Sequence, residues 1–543
     1  MNSDPTSHMT PPSRRTFLKG TGQLGLAVVG GQLLAACSGS GRRTIGATPS
    51  VVSTVGRGSP LKGGTMTVGI ISAGAAETLN PVSSATSGDY LRNRQLFESL
   101  FRISGDLKTV EPVLAESAEP NKDASVWTVK LRQGVTWHDG SPLTADDVIY
   151  SFNFWAAPFS LLAGAAQLID LKHIRKLDAH TLVVPLMRRN AGWPSTLAFS
   201  PIVKAGVTAG SFNTNPIGTG PFRFKSFSTR GSVFVANPSY WQSGRPYLDE
   251  VVFDTSFTDE NARLNALLAG NIAVMPSSPF ALAREQLKQG KLAVLGSPSL
   301  LTYPFVMRVD QGPFADVRVR RAMKLVADRQ ALVDVALSGM GSVQNDLFGA
   351  GLPDYASDLT ISRDVDQARS LIKQAGLQNH TFTLRTSAFA SGVVEAATLF
   401  AQQASAAGIK IDIKQESPAN YFTPAGGLLS DPLRQSYYLA NGSLNTYYSE
   451  FLSSSSSINE TYWGHQPGGD RAWKLIDQAA AATDPALAKE LWHEVQVQQA
   501  QEGGFLIWGN AYSVNLVAPH VNGLRETPLG ALDDGHLMDC WIA

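Results

Sequence analysis

Cysteine is almost missing from this chain. Two are present among 543 residues, Cys37 and Cys540, so a disulfide framework cannot hold the fold and an apolar core must. Charge of one sign is missing as well. The 45 Lys and Arg residues are balanced by 45 Asp and Glu, which gives no footprint for nucleic acid. Long hydrophobic runs are also scarce: "LGLAVVGGQLL" near the N-terminus is roughly half of the ~20 residues that span a bilayer and contains glycines. Catalytic motifs are lacking too. The 9 histidines are scattered, "WHEVQVQQ" has no second His to complete a zinc-binding helix, and no GxSxG nucleophile elbow occurs. "GTGPF" at 218–222 has the glycines of a phosphate loop but no lysine, and Pro221 followed by "FRFKSF" indicates a turn into a strand. No cofactor or metal is called for by any of these patterns, and no enzyme is expected.

What the N-terminus does contain is specific. "SRRTFLKG" (Ser13 to Gly20), the short apolar run and "LAAC" ending at Cys37 follow in order. They resemble a twin-arginine export signal joined to a lipobox, which predicts cleavage before Cys37 and acylation of its thiol. Residues 1–36 would be the signal peptide and 37–61 the lipidated Cys with a flexible Ser/Gly/Thr-rich tether. Loss of 1–36 removes Arg14, Arg15, Lys19 and Asp4, leaving 42 basic and 44 acidic side chains. The mature chain is thus expected to be exported and lipid-anchored, at the outer face of the cytoplasmic membrane or in the periplasm. Folding before export in a reducing cytoplasm suits a chain without disulfides, and Cys540 reads as a small buried apolar residue.

Strand and helix patterns alternate through the body. Trp127, Val129 and Leu131 share one face of "WTVKLRQG", and Ile409, Ile411 and Ile413 one face of "IKIDIK". Helical spacing joins Val319, Ala322, Met323, Val326, Val333, Ala336 and Leu337, with Asp316 as N-cap and Gly339 as stop. Further helices follow Asp364, closed by Gly376, and Asp484, with Pro485 at the first helical position. The fold class is α/β with several sheets. A chain of this length exceeds one small core, so two or three lobes are expected.

One stretch, "TWHDGSPLTADDV" at 136–148, carries a His and three carboxylates and invites reading as an active site. Strand, turn and capped helix account for it instead. Asp139-Gly140 suits a tight turn, Thr144 and Asp147 have capping-box spacing, and the acids at 146 and 147 sit where a helix dipole favours them.

The segment "WTVKLRQGVTWHDGSPLTADDVIYSF" resembles the family 5 extracellular solute-binding proteins, the peptide and nickel receptors of ABC importers. "TLNP" at 78–81, "NPIGTGPFRF" at 215–224, "NPSYW" at 237–241, "DVRVRRAMKLVADR" at 316–329, "DVDQARSLIKQAG" at 364–376 and "AAGIKIDIK" at 406–414 follow in the family's order. The resemblance implies a bilobal, periplasmic-binding-protein type II-like fold in three segments with a discontinuous first domain. Domain I would take residues 62–97, 216–300 and 510–543, domain II 98–215, and domain III 301–509. It implies a monomeric receptor that captures a peptide or other small solute and hands it to a permease and ATPase complex.

In peptide-binding members, the segment matching Ser436 to Leu452 carries an Asp for the peptide's α-amine. Here that place reads Ala440-Asn441-Gly442. An amide oxygen can accept a hydrogen bond but cannot neutralise an ammonium. The same segment is rich in Tyr437, Tyr438, Asn445, Tyr447 and Tyr448, with Trp463 following, groups suited to stacking and to neutral hydrogen bonding. The expected ligand-facing set is Glu77, Arg308, Tyr437, Tyr438, Asn441, Asn445, Tyr447 and Trp463. Peptide is the first expectation, an oligosaccharide or blocked solute the second, and an exported hydrolase on a binding-protein scaffold the alternative of another class.

Overall fold

Alternating burial becomes strand structure where the sequence places it. In strand Val126–Leu131, Trp127, Val129 and Leu131 are buried while Thr128 and Lys130 keep accessible surface. The computed structural model describes residues 58–543, apart from 75–76, 85, 158–159, 229, 424–426, 439–441, 455, 457 and 526. The basic leader, Cys37 and nearly all of the tether lie outside the described residues.

Three main sheets organise the described chain. The largest has eight strands. Its path runs Ala293–Thr302, Gly509–Val517, Val274–Met275, Thr65–Ile71, Glu250–Phe257, Gly231–Ala236 and Phe222–Ser228, with Gly341–Val343 paired to Gly509–Val517. Its strands therefore come from widely separated parts of the sequence, and Thr65–Ile71 is parallel to both neighbours. A five-stranded sheet orders Lys410–Glu416, Thr381–Ser387, Leu433–Gln435, Phe305–Met307 and Phe505–Leu506. A four-stranded antiparallel sheet holds Ala115–Pro120, Val126–Leu131, Thr181–Pro185 and Arg175–Lys176. Apolar side chains gather in three clusters. Cys540 is fully buried among them.

Two expectations are modified. The helix drawn over 316–339 is two helices, Val317–Val326 and Arg329–Ala336, because Asp328 caps the second by accepting from the Ala331 amide. Ile409 is buried, but Ile413 is 38 % exposed, since Lys410–Glu416 lies at the edge of its sheet.

The His138 stretch is scaffold. Gly140 has φ 86° in the turn, and Thr144 with Asp147 forms a capping box on helix Ala145–Trp155. The His138 ring bridges a backbone loop: Nδ1 accepts from the Gly218 amide at 3.2 Å and Nε2 donates to the Gly220 carbonyl at 3.1 Å. Burial lowers its pKa to about 4. Asp139 is pushed up by burial but pulled further down, to about 2, by Lys204 and Ser141. Gly218 and Gly220 serve close packing: a Cβ on Gly218 would fall 1.7 Å from the Leu96 carbonyl oxygen, and one on Gly220 2.4 Å from that of Gln95.

Candidate functional site

Two short connections join the large sheet to the five-stranded one. Strand Ala293–Thr302 ends three residues before Phe305–Met307 begins, and Phe505–Leu506 passes directly into Gly509–Val517. Trp508, between the latter two, donates through its indole N–H to the Tyr303 carbonyl at 2.9 Å and so ties the connections together. These two crossings are short, whereas the chain also crosses through the longer stretches on either side of Gly341–Val343.

Residues 436–438 lie against this junction. Tyr438 and Thr302 exchange backbone hydrogen bonds at 3.0 Å, and the Ser436 amide donates to the Pro304 carbonyl at 3.1 Å. Successive residues of an extended chain point to opposite sides, so Tyr437 emerges, 40 % exposed, where Tyr438 is buried. The Tyr437 ring meets Phe422 at 5.3 Å and Phe389 at 5.9 Å, and Phe389 stacks on Tyr421 at 5.4 Å. Behind this aromatic patch Arg434 lies 4.5 Å from the Tyr421 ring centre. Its Nε is 3.6 Å from Glu460, while Nη1 is buried with no hydrogen-bond partner among the described residues. Burial raises the Glu460 pKa against the opposing pull of Arg434, Ser436 and Tyr438. Rings, one incompletely satisfied guanidinium and a shielded acid are tools for holding a solute by stacking and hydrogen bonding.

A polar seam flanks the same segment. Asn445 donates to the Asn190 side chain, Ser195 Oγ lies 2.7 Å from Ser443 Oγ, and the Ala191 amide donates to the Ala480 carbonyl at 2.7 Å. Arg188 reaches Asp477 at 2.9 Å and Ser453 at 3.2 Å. A cavity of about 330 Å³ adjoins the seam, lined in part by Lys108, Pro194, Asp354, Asn445 and Trp492.

The expected site residues separate into three groups. Tyr437 and Asn445 stand on the patch and the seam. Tyr438, Tyr447 and Trp463 are packing residues: Tyr447 stacks on Phe348 at 5.1 Å, the Tyr438 hydroxyl donates to Glu460, and Trp463 is 1 % exposed. Glu77 and Arg308 have intramolecular partners. Glu77 accepts from Arg92 at 2.7 Å and from the Ala73 amide at 3.0 Å, and Arg308 pairs with Asp310 at 2.9 Å while its guanidinium covers the Tyr462 ring at 3.7 Å. Asn441 lies outside the described residues.

Residues 109–459 match the description of the bacterial extracellular solute-binding proteins, family 5 Middle. The chain belongs to family 5. One relative, the dipeptide-binding protein of Escherichia coli K12, is 26 % identical over 504 residues, covering 84 % of this chain and 92 % of the relative. The glutathione-binding protein GsiB of Pectobacterium atrosepticum is 28 % identical over 355 residues, 63 % of this chain and 68 % of that protein. The solved structure of the periplasmic binding protein DppA from Helicobacter pylori, in complex with the peptide STSA, superposes with a TM-score of 0.75 at 20 % identity, covering 89 % of this chain and 98 % of the other. The fold is thus the bilobal, type II-like one.

Sequence reasoning passed over Phe389, Tyr421, Phe422, Arg434 and Glu460. Phe389 is distant in sequence from the adjacent Tyr421 and Phe422, and they converge only in the folded chain. Arg434, in the wholly buried strand Leu433–Gln435, had no sequence signal, since its neighbour Gln435 is polar.

Proposed function

We propose that this family 5 chain is the extracytoplasmic receptor of an ABC importer, capturing a peptide between two lobes and delivering it to a permease and ATPase complex. The observation that carries this reading is the convergence of the aromatic patch, Arg434 and the polar seam beside the two short connections between the sheets. Closure of two lobes on a ligand is favoured by contacts made to both. The relatives' names point to small peptides, and Tyr437 with Phe422 and Phe389 supplies sequence-tolerant stacking surface. In this reading domain I comprises 62–97, 216–300 and 510–543, domain II 98–215 and domain III 301–509, and Cys37 carries the lipid that tethers a monomer to the membrane after twin-arginine export.

A second reading rests on one specific feature. No acid stands at Ala440-Asn441, which favours a neutral or blocked solute such as an oligosaccharide over a free peptide amine. Native mass spectrometry of gently purified protein separates the two. A co-purified mass series built from amino-acid residues supports peptide capture, whereas hexose increments would replace it with the sugar reading.

A further inference from the structure

We propose that the cavity beside the seam is a second binding site, one that takes a small zwitterion with its cationic end at Asp354, its apolar body on Trp492 and its anionic end at Lys108. The cavity holds about 330 Å³, room for one small molecule. It is separate from the aromatic patch, since Tyr437, Phe422 and Phe389 take no part in its walls. One wall comes from residues 107–110 and 191–195, the other from 353–354, 442–445 and 479–492.

Asp354 is held on its wall in a conformation that its neighbours impose. Its backbone has φ 64°, in the left-handed region. Gln496, fully buried on helix Pro485–Glu502, grips it from both sides: the side-chain amide nitrogen donates to the Asp354 carbonyl at 2.9 Å, and the amide oxygen accepts from the Ala356 backbone at 2.9 Å. Non-glycine residues persist in that region where the surroundings over-determine them, and they gather at ligand clamps. The Asp354 side chain is half-buried and, among the described residues, makes no ion pair and no hydrogen bond. Burial raises its pKa, opposed only by the exposed Lys489, which does not pair with it. A partly desolvated carboxylate without a partner gains from a cation brought to it.

Trp492 stands one turn before Gln496, which donates to its carbonyl at 2.9 Å. The indole is buried and backed by Tyr448 at 5.6 Å, and Ala479, Ala480 and Ala488 extend the apolar floor. Lys108 belongs to the opposite wall. Its contact with Asp106, at 3.6 Å between two largely exposed side chains, is of a kind worth little. The Ser195 and Ser443 hydroxyls, 2.7 Å apart, line the cavity as well. An acid on one wall, a base on the other and an aromatic floor between them fit a molecule that carries both charges on a hydrocarbon body. Such a molecule touches both walls and so favours the seam as it stands, closed.

The test is calorimetric titration of the full-length chain with 6-aminohexanoate, beside hexylamine, which lacks the carboxylate, and 6-acetamidohexanoate, which lacks the cation. We expect the zwitterion to bind the wild type at least tenfold more tightly than either. Asp354→Asn keeps a side chain suited to the left-handed backbone and should weaken the zwitterion at least tenfold. Lys108→Ala, at an exposed position, should weaken the zwitterion and leave hexylamine unchanged. A saturating mixture of tripeptides should not displace the probe. Failure of the zwitterion to bind, or equal binding by wild type and D354N, overturns the proposal. Displacement by tripeptides overturns it too, because it places the probe in the receptor site. If D354N does not fold, K108A decides: an unchanged affinity for the zwitterion contradicts the proposal. Tripeptides that fail to bind contradict the peptide reading alone and leave this site standing.

Discussion

At the scale of single residues, the structure separates charge that holds the fold from charge left for other work. Arg92 is fully buried between Glu77, at 2.7 Å, and Asp89, at 3.3 Å. Removing one partner from such a set strands the others in a poorly solvating interior. Arg92→Met is expected to cost about 3–5 kcal/mol in chemical denaturation without changing which solutes bind. His138 makes a complementary prediction. Its folded pKa, about 4, lies below the ordinary 6.5, so the unfolded chain binds the proton more tightly. His138 therefore contributes stability that is present above pH 6.5 and lost as pH falls toward 4, on the order of 2 kcal/mol after allowance for partial exposure. Melting temperature against pH should fall over that window in the wild type and fall less in His138→Ala. Glu77 was read from the sequence as a possible acid for the ligand. Arg92 and Asp89, fifteen and twelve residues downstream, gave no sign in the sequence that they would close on it.

Elements carry the next layer. Caps and periodicity were legible: Asp316 and Asp484 both accept from the amides that their positions predict, because capping depends on neighbours a few residues apart. The π-turn at Tyr447–Phe451 and the break at Asp328 were not, since each depends on what packs against the helix. The seam depends on tertiary placement in the same way. A Cβ on Gly192 would fall 2.5 Å from Asn445 Nδ2, so Gly192→Val should displace the Asn445 side chain and break its hydrogen bond to Asn190. Small-angle scattering is expected to show a larger radius of gyration for G192V than for the wild type, with weaker solute binding. Unchanged scattering and affinity would mean that the seam contacts do not bias closure.

For the whole molecule, the order of motifs along the chain was enough to expect a bilobal receptor, and the match over residues 109–459 bears out the family. The ligand-facing surface was much less legible. Tyr438, Tyr447 and Trp463 belong to the same aromatic-rich stretch as Tyr437, yet only placement in three dimensions distinguishes a ring that packs the core from one that emerges beside the short connections between the sheets. The patch of Phe389, Tyr421, Phe422 and Tyr437 is assembled from three separate segments, and no spacing rule joins them.

The central claim, that this chain is a peptide receptor, is tested most directly by a thermal-shift screen of the full-length chain. The panel should contain di- to hexapeptides, blocked peptides, oligosaccharides and nickel. A ligand at a hundredfold excess over its dissociation constant adds about 2.7 kcal/mol to the folded state, a rise in melting temperature well outside scatter. We expect free peptides to raise it. A rise with oligosaccharides alone, and none with peptides, would contradict the account.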